Sequence, residues 1–247
     1  MQIGEAVVSK QKLSLFTELN NVLHVGNKFY VAIPEYIVGE LYLIALQYHQ
    51  TEVFVNMQNY FLFDGLSMLV EYICYGDEKR RNIATNPHSK LMQQITCDTT
   101  TTINNVAKVI LTGVDCDCVK GYFIETDISK ISNISLSIIG QQVLNYDEAM
   151  LQLFCHKISD NLLYISLNGE NNYSDMNIDS YSGSLNHSRI DEVKMIITFK
   201  STVENLTVHT MSLKYLNYYS GMCSGVRRMP FSQKELYDLQ TKIDESS

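Results

Sequence analysis

The 247 residues include no tryptophan and only three prolines. No run of about 18 apolar residues occurs, so no membrane-spanning helix is expected. The opening MQIGEAVVSKQKL lacks the long apolar core and small-residue cleavage site of a secretory leader. A basic surplus is missing too: the net charge is −8, which argues against a surface built to neutralise phosphates. The six cysteines (Cys74, Cys97, Cys116, Cys118, Cys155 and Cys223) are too sparse for a disulfide scaffold and are expected to be reduced thiols of a protein made in the cytoplasm. Four Asn-x-Ser/Thr sequons, at Asn133, Asn172, Asn186 and Asn205, matter only in a secreted chain. No internal repeat of fixed period and no low-complexity tract beyond Thr99 to Thr102 is present.

Catalytic signatures are missing as well. There is no GxSxG elbow, no HExxH and no GxxxxGK[ST] loop. DCDC, Asp115 to Cys118, is the most metal-like stretch, but a zinc site needs four ligands and no partner pair stands at the required spacing. Cys155 and His156 are adjacent, so on a strand they point to opposite faces and cannot pair as nucleophile and base. The six histidines are scattered, and only His187 lies in a rich polar setting, where a turn or interface role outweighs a catalytic one. No enzyme, cofactor or metal is therefore expected. The Tyr-rich NYY, Asn217 to Tyr219, followed by SGMCSG fits a sugar platform or ordinary strand packing and a Gly turn. The basic run Lys79 to Arg81 reads as a solvated linker first and a subunit contact second.

What is present points to strands. Hydrophobic residues make up 45%, charged residues 19%, and sixteen tyrosines accompany many Ile, Val and Thr. KLSLFTELNNVL fits a short helix or a strand and turn. KFYVAI, ELYLIALQYHQTEVFVNMQ and MLVEYICYG read as strands, the last ending at Gly76. GDEKRRNIATNPHS is the strongest composition shift, with Asp77 as a possible N-cap, and it divides two packing units. Beyond it, KLMQQITCDTTTTI, AKVILTGV, GYFIETD, ISNISLSIIG, MLQLFCHKI, NLLYISLNG, KMIITFK and ENLTVHTMSLKYLNYY supply short strands between polar turns, the pattern of a two-sheet sandwich or barrel. The tail FSQKELYDLQTKIDESS is polar and helix-prone, with a capping-box pattern at Ser232 and Glu235.

Several stretches, in order, resemble the major capsid proteins of nucleocytoplasmic large DNA viruses (iridoviruses, phycodnaviruses, mimiviruses and relatives). LYLIALQYHQTEVFVNM is similar to a family strand ending in Leu-Gln-Tyr-His, here with Gln47, Tyr48 and His49. VEYICYGDEKRRNIATNPHSKLMQQI resembles the Asp-Glu-Arg-Arg linker, carrying Arg80 and Arg81. In SLSIIGQQVLNYDEAMLQLFCHK, Ile139-Gly140-Gln141 stands where the family usually has Asn-Gly. The most specific likeness is YSGSLNHSRID, where Ser182, Gly183, Asn186, Ser188, Arg189 and Asp191 fit the run Ser-Gly-x-x-Asn-x-Ser-Arg-x-Asp. YLNYYSGMCSG resembles the closing strand and its turn at Gly221 and Met222.

The resemblance covers roughly residues 28 to 226. It implies an all-β fold: a complete jelly-roll β-sandwich at residues 90–228, preceded by the last strands of a first jelly roll at 1–75 and a linker at 76–89, and followed by a tail at 229–247. The implied role is structural, as trimeric capsomers of an icosahedral shell. The expected partners are the chain itself, neighbouring capsomers, minor capsid proteins and a separate chain supplying the first jelly roll. No direct nucleic-acid contact is expected. The implied place is the virion, assembled in the host cytoplasm. The alternative is a jelly-roll binding module, such as a glycan-binding vertex or fibre protein. A third reading, a cupin-like enzyme, requires a clustered His/Glu metal site that the sequence lacks. In the family-like run, Gly183 permits a turn, and Arg189 is expected to pair with Asp191 or a neighbouring carboxylate as the chain enters VKMIITFK.

Overall fold

The computed structural model describes residues 2–3, 6–7, 13–19, 22–32, 42, 51–52, 55, 65–100, 105–111, 118–167, 184–187, 190, 192–203, 205–219 and 222–226. Within the first 60 positions, β1 (Gln2–Ile3) pairs with β2 (Ala6–Val7), and on its other side with β5 (Thr51–Glu52). KLSLFTELNNVL divides between both of its readings: Leu13–Glu18 forms helix α1, and Val22–Val25 forms β3. β3 folds back on β4 (Lys28–Val31) around Gly26, whose φ of 58° lies in the left-handed region that glycine enters without steric cost.

MLVEYICYG departs from expectation. Residues 65–76 carry a strand-like sequence but join no sheet among the described residues, because strand propensity cannot close a ladder without a neighbour. The helix that follows, α2 (Asp77–Thr85), buries no residue. Its cap is Gly76, so Asp77 stands one position inside the helix and supplies first-turn negative charge together with Glu78.

From His88 onward the chain builds two facing antiparallel sheets. β6 (His88–Thr100), β8 (Cys118–Glu125), β11 (Cys155–Lys157), β12 (Leu162–Ser166), β14 (Leu206–Tyr219) and β15 (Met222–Val226) form one. In it β14 is central: β6 runs along one side, while β8 and then β15 share the other, and β12 and β11 follow beyond β8. The second sheet has the order β10 (Gln141–Asp147), β9 (Ile131–Ile138), β13 (Val193–Phe199) and β7 (Val106–Ile110). Apart from the successive pairs β9–β10 and β11–β12, each within one sheet, and β15, which folds back on β14, the chain crosses between the sheets at each step: β6, β8, β12 and β14 lie in one, and β7, β9, β10 and β13 in the other. Eight strands exchanged in this order make a jelly-roll β-sandwich.

Period-two patterning fills the space between the sheets. Val193, Met195, Ile197 and Phe199 of β13 are buried while the residues between them are only half-buried. They meet Tyr122, Ile124, Leu163, Ile165, Leu206 and Val208 from the opposite sheet in one continuous core. Each such side chain contributes about 1.5–3 kcal/mol when fully buried, so the sandwich itself carries the stability of this half. The larger sheet is covered on its outer face as well. There Leu15 of α1 and Leu19 just beyond it pack on Ile95, Phe123, Leu162, Tyr164 and Met211, and the Glu18 carboxylate accepts a hydrogen bond from the Ser159 hydroxyl.

Three local features differ from the sequence reading. MLQLFCHKI is not one strand: Glu148–Phe154 forms helix α3, and only Cys155–Lys157 continues as a strand. The cause is a cap, since the Asp147 carboxylate accepts the Met150 amide proton at 2.9 Å. QQVLNYD becomes β10 through a two-residue turn in which Ile139 (φ 49°) and Gly140 (φ 77°) both adopt left-handed backbone. SGMCSG is not only a turn, because Met222–Val226 pairs back on β14 as β15.

Candidate functional site

The family-like run meets the sandwich through its middle. Leu185 exchanges both backbone hydrogen bonds with Val119 of β8, at 2.8 and 2.9 Å, and the Ile190 amide donates to the His187 carbonyl at 3.1 Å. This places His187, 5% exposed, with its Nε2 2.9 Å from the hydroxyl of the fully buried Tyr122. Burial pushes the His187 pKa down to about 4, so the ring is neutral at pH 7 where it meets the Tyr122 hydroxyl. A buried group with a buried partner serves as an anchor between loop and core. Asn186, its neighbour, is exposed.

Ser182, Gly183, Ser188, Arg189 and Asp191 lie outside the described residues, as do Gln47, Tyr48, His49 and Gly221, and with them the expected Arg189–Asp191 pairing. Arg80 and Arg81 are exposed on α2, where Arg80 Nη1 stands 3.8 Å from Asp77 Oδ1. Met222 opens β15. Of the metal-like DCDC, Cys116 lies outside the described residues and Cys118 begins β8. Among the described residues no cluster of three or more His, Cys, Asp or Glu could hold a metal ion. Cys155 is buried and His156 half-buried on β11, on opposite faces as their adjacency requires, and burial pushes the Cys155 thiol up to about 12, leaving it protonated at neutral pH.

The sequence reading missed a second polar contact. On the outer face of the larger sheet, fully buried His209 places Nε2 2.9 Å from Glu125 Oε2, one strand away. Burial works against a charged ring, but hydrogen bonding to Cys97 and Glu125 outweighs it and raises the His209 pKa above its ordinary value. The signal was a lone histidine in the strand TVHTM, whose carboxylate partner becomes visible only once the register sets β14 beside β8.

The two histidines act on stability on opposite sides of pH 6.5. His187, with a depressed pKa, contributes stability that is lost as pH falls from 6.5 toward about 4. His209, with a raised pKa, contributes stability that is full below 6.5 and is lost as pH rises through its folded value. Urea midpoints measured across pH 4.5 to 8 should therefore peak near 6.5. His187→Gln should flatten the acid limb, and His209→Gln the alkaline limb. An unchanged profile in either variant would contradict the assignment.

Helix α3 lies against β9, β10 and β11, bridging one flank of the two sheets. Its Leu151 is buried, while Met150, Leu153 and Phe154 are exposed beside exposed Val143 of β10. The Tyr146 ring of β10 stacks on Phe154 at 5.6 Å. On this flank β10 pairs with β9 alone and β11 with β12 alone among the described residues, so each keeps an open edge.

No family model matches the sequence. No curated protein matches it either. Solved structures do match the fold. A quasi-atomic model of the PBCV-1 virus capsid superimposes with a TM-score of 0.53 at 14% identity, covering 77% of this chain and 66% of that one. PBCV-1 VP54, fitted into a cryo-EM reconstruction of the virophage Sputnik, gives a TM-score of 0.52 at 14% identity over the same shares. The matched region thus spans just under two thirds of each of those chains. The chain has the fold of a viral major capsid protein.

Proposed function

We propose that the chain is a structural subunit of an icosahedral viral capsid and assembles as trimeric capsomers. The observation that carries this reading is the complete eight-strand jelly roll, matched in fold by the PBCV-1 capsid chains. A shell subunit needs rigid sheets and many weak contacts multiplied by symmetry, and no catalytic group. A sandwich whose larger sheet is covered on its outer face as well, with apolar side chains exposed along one flank, suits that task. In this reading residues 1–75 are the remnant of a first jelly roll, 76–89 the linker, 90–228 the second jelly roll and 229–247 a polar tail. The partners are other copies of the chain, neighbouring capsomers, minor capsid proteins and a separate chain that completes the first jelly roll. Nucleic acid is not contacted directly, and the protein works in the virion after assembly in the host cytoplasm.

The test is the native mass of the purified chain together with electron microscopy of concentrated samples. A species about three times the chain mass, and ordered arrays of hexagonal outline, are expected. A folded monomer at every concentration would count against assembly by this chain.

A further inference from the structure

We infer that Cys97 is a reactive thiol, activated by His209 and Glu125, and that it is a modification site for small hydroperoxides, which oxidise it to a sulfenic acid. The site lies on the outer face of the larger sheet and does not depend on the capsid reading.

Three adjacent strands bring the groups together. β14 runs between β6 and β8, and its register sets Cys97 directly opposite His209, with Glu125 one pair further along on β8. Residues opposite one another share a face, with Cβ atoms about 4.5–5.5 Å apart. The row therefore reads thiol, imidazole, carboxylate across the sheet. His209 Nε2 stands 2.9 Å from Glu125 Oε2, while Nδ1 is buried with no hydrogen-bond partner and is the ring position open to a further proton. Exposure is graded along the row: the His209 side chain is wholly buried, that of Glu125 is 19% exposed, and Cys97 is half-buried and in no disulfide. The thiol is thus the member that a small solute meets. Other neighbours of His209 on this face, Ile95, Phe123, Thr207 and Met211, carry no charge. The acid of α1, Glu18, is hydrogen-bonded to Ser159 and Asn161.

The chemistry follows from that order. A carboxylate beside a buried imidazole favours its protonated form, and the adjacent thiol is a source of the proton. Burial opposes the charged ring, but hydrogen bonding to Cys97 and Glu125 prevails and raises the ring's pKa. Proton transfer leaves a thiolate beside an imidazolium, the form in which cysteine is a nucleophile near neutral pH. Its sulfur attacks one oxygen of the hydroperoxide. An S–O bond forms, the O–O bond breaks, and the departing oxygen takes the ring's proton. Hydrogen peroxide and the thiol thereby yield a sulfenic acid and water.

The test is site-resolved mass spectrometry of the full native chain, with exposed Cys74 as the comparator and buried Cys155 as the reporter of an intact fold. With iodoacetamide at pH 6, Cys97 should react at least about tenfold faster than Cys74, since an ordinary thiol is under about 1% thiolate there. After hydrogen peroxide, the sulfenic-acid reagent dimedone should label Cys97 ahead of Cys74. His209→Gln should slow alkylation of Cys97 at pH 6 by at least about tenfold and shift its pH dependence to that of an ordinary thiol. Glu125→Gln should cause part of the same loss. Cys97 reacting no faster than Cys74 at pH 6 would overturn the proposal, as would a rate unchanged by His209→Gln. Should Cys155 become reactive in His209→Gln, that variant has loosened and Glu125→Gln decides: a slower Cys97 supports the row, and an unchanged one overturns it. Fast alkylation without a dimedone adduct would overturn the hydroperoxide as the substrate.

Discussion

Replacing Gly121 with alanine is expected to lower the thermal midpoint by about 10 °C, through a loss of ~3 kcal/mol, at the upper end of the cost of overpacking a core. Gly121 lies in β8 between β14 and β12, where a register shift separates Met211 from Ser212. A Cβ at this position would stand 2.5 Å from the Ile165 carbonyl oxygen and 2.5 Å from the Tyr164 hydroxyl, with the Tyr164 ring carbon Cε2 at 2.7 Å. The ring could swing aside only by disturbing its packing against Phe123, whose centroid is 4.8 Å away. The carbonyl is held in the β8–β12 ladder and has no such freedom. Adding Tyr164→Leu should therefore recover only part of the loss, because the backbone collision remains. Calorimetric midpoints of wild type, single and double variants check this. A Gly121→Ala melt within 2 °C or so of wild type would show that the sheet gives way easily there.

The second large effect is expected at His187. His187→Ala should cost about 2–3 kcal/mol, because it strands the buried Tyr122 hydroxyl and empties a filled site. The cost belongs to the pair more than to either residue. Tyr122→Phe alone should also destabilise by a comparable amount, since it leaves the His187 ring buried and unpaired. Tyr122→Phe with His187→Leu replaces both partners by apolar groups of similar size, and should return most of the stability. Urea denaturation of wild type, Tyr122→Phe, His187→Leu and the double variant gives the coupling directly. Additive losses in the double variant would mean that the 2.9 Å contact contributes nothing to anchoring the loop.

These two sites differ in how far the sequence disclosed them. The family-like run SGSLNHSRID identified the neighbourhood of His187, and its polar composition pointed to a turn. Its depth was hidden, because the partner Tyr122 is 65 positions away and only the closed sandwich brings them together. Gly121 carried no local mark at all, since its constraint comes from a carbonyl on another strand. The strands after residue 87 were legible because alternation such as Val193, Met195, Ile197 and Phe199 is written locally and agrees with the final burial. Two apolar runs were misread for opposite reasons. In MLQLFCHKI the Asp147 cap outweighed strand propensity, and that signal was present in the sequence as Asp147 and Glu148. MLVEYICYG was read as a strand from its apolar residues, but a strand also needs a neighbour, and none pairs with it among the described residues.

The position of β14 bears on how the chain first folds. Its backbone joins β6 on one side and β8 and β15 on the other, and its Ser212 hydroxyl donates to the Gln94 carbonyl 118 positions earlier. A ribosome adding roughly 5–20 residues per second takes on the order of ten seconds to cover that interval. Throughout this time β6 and β8 must wait for the strand that separates them, with apolar surface such as Ile95 and Phe123 uncovered. Closure then depends on contacts distant in sequence, which are slow to form. The nascent chain is therefore most vulnerable to aggregation late in its own synthesis, and its yield should rise when translation near the C-terminal strands is fast or when a holding chaperone is abundant.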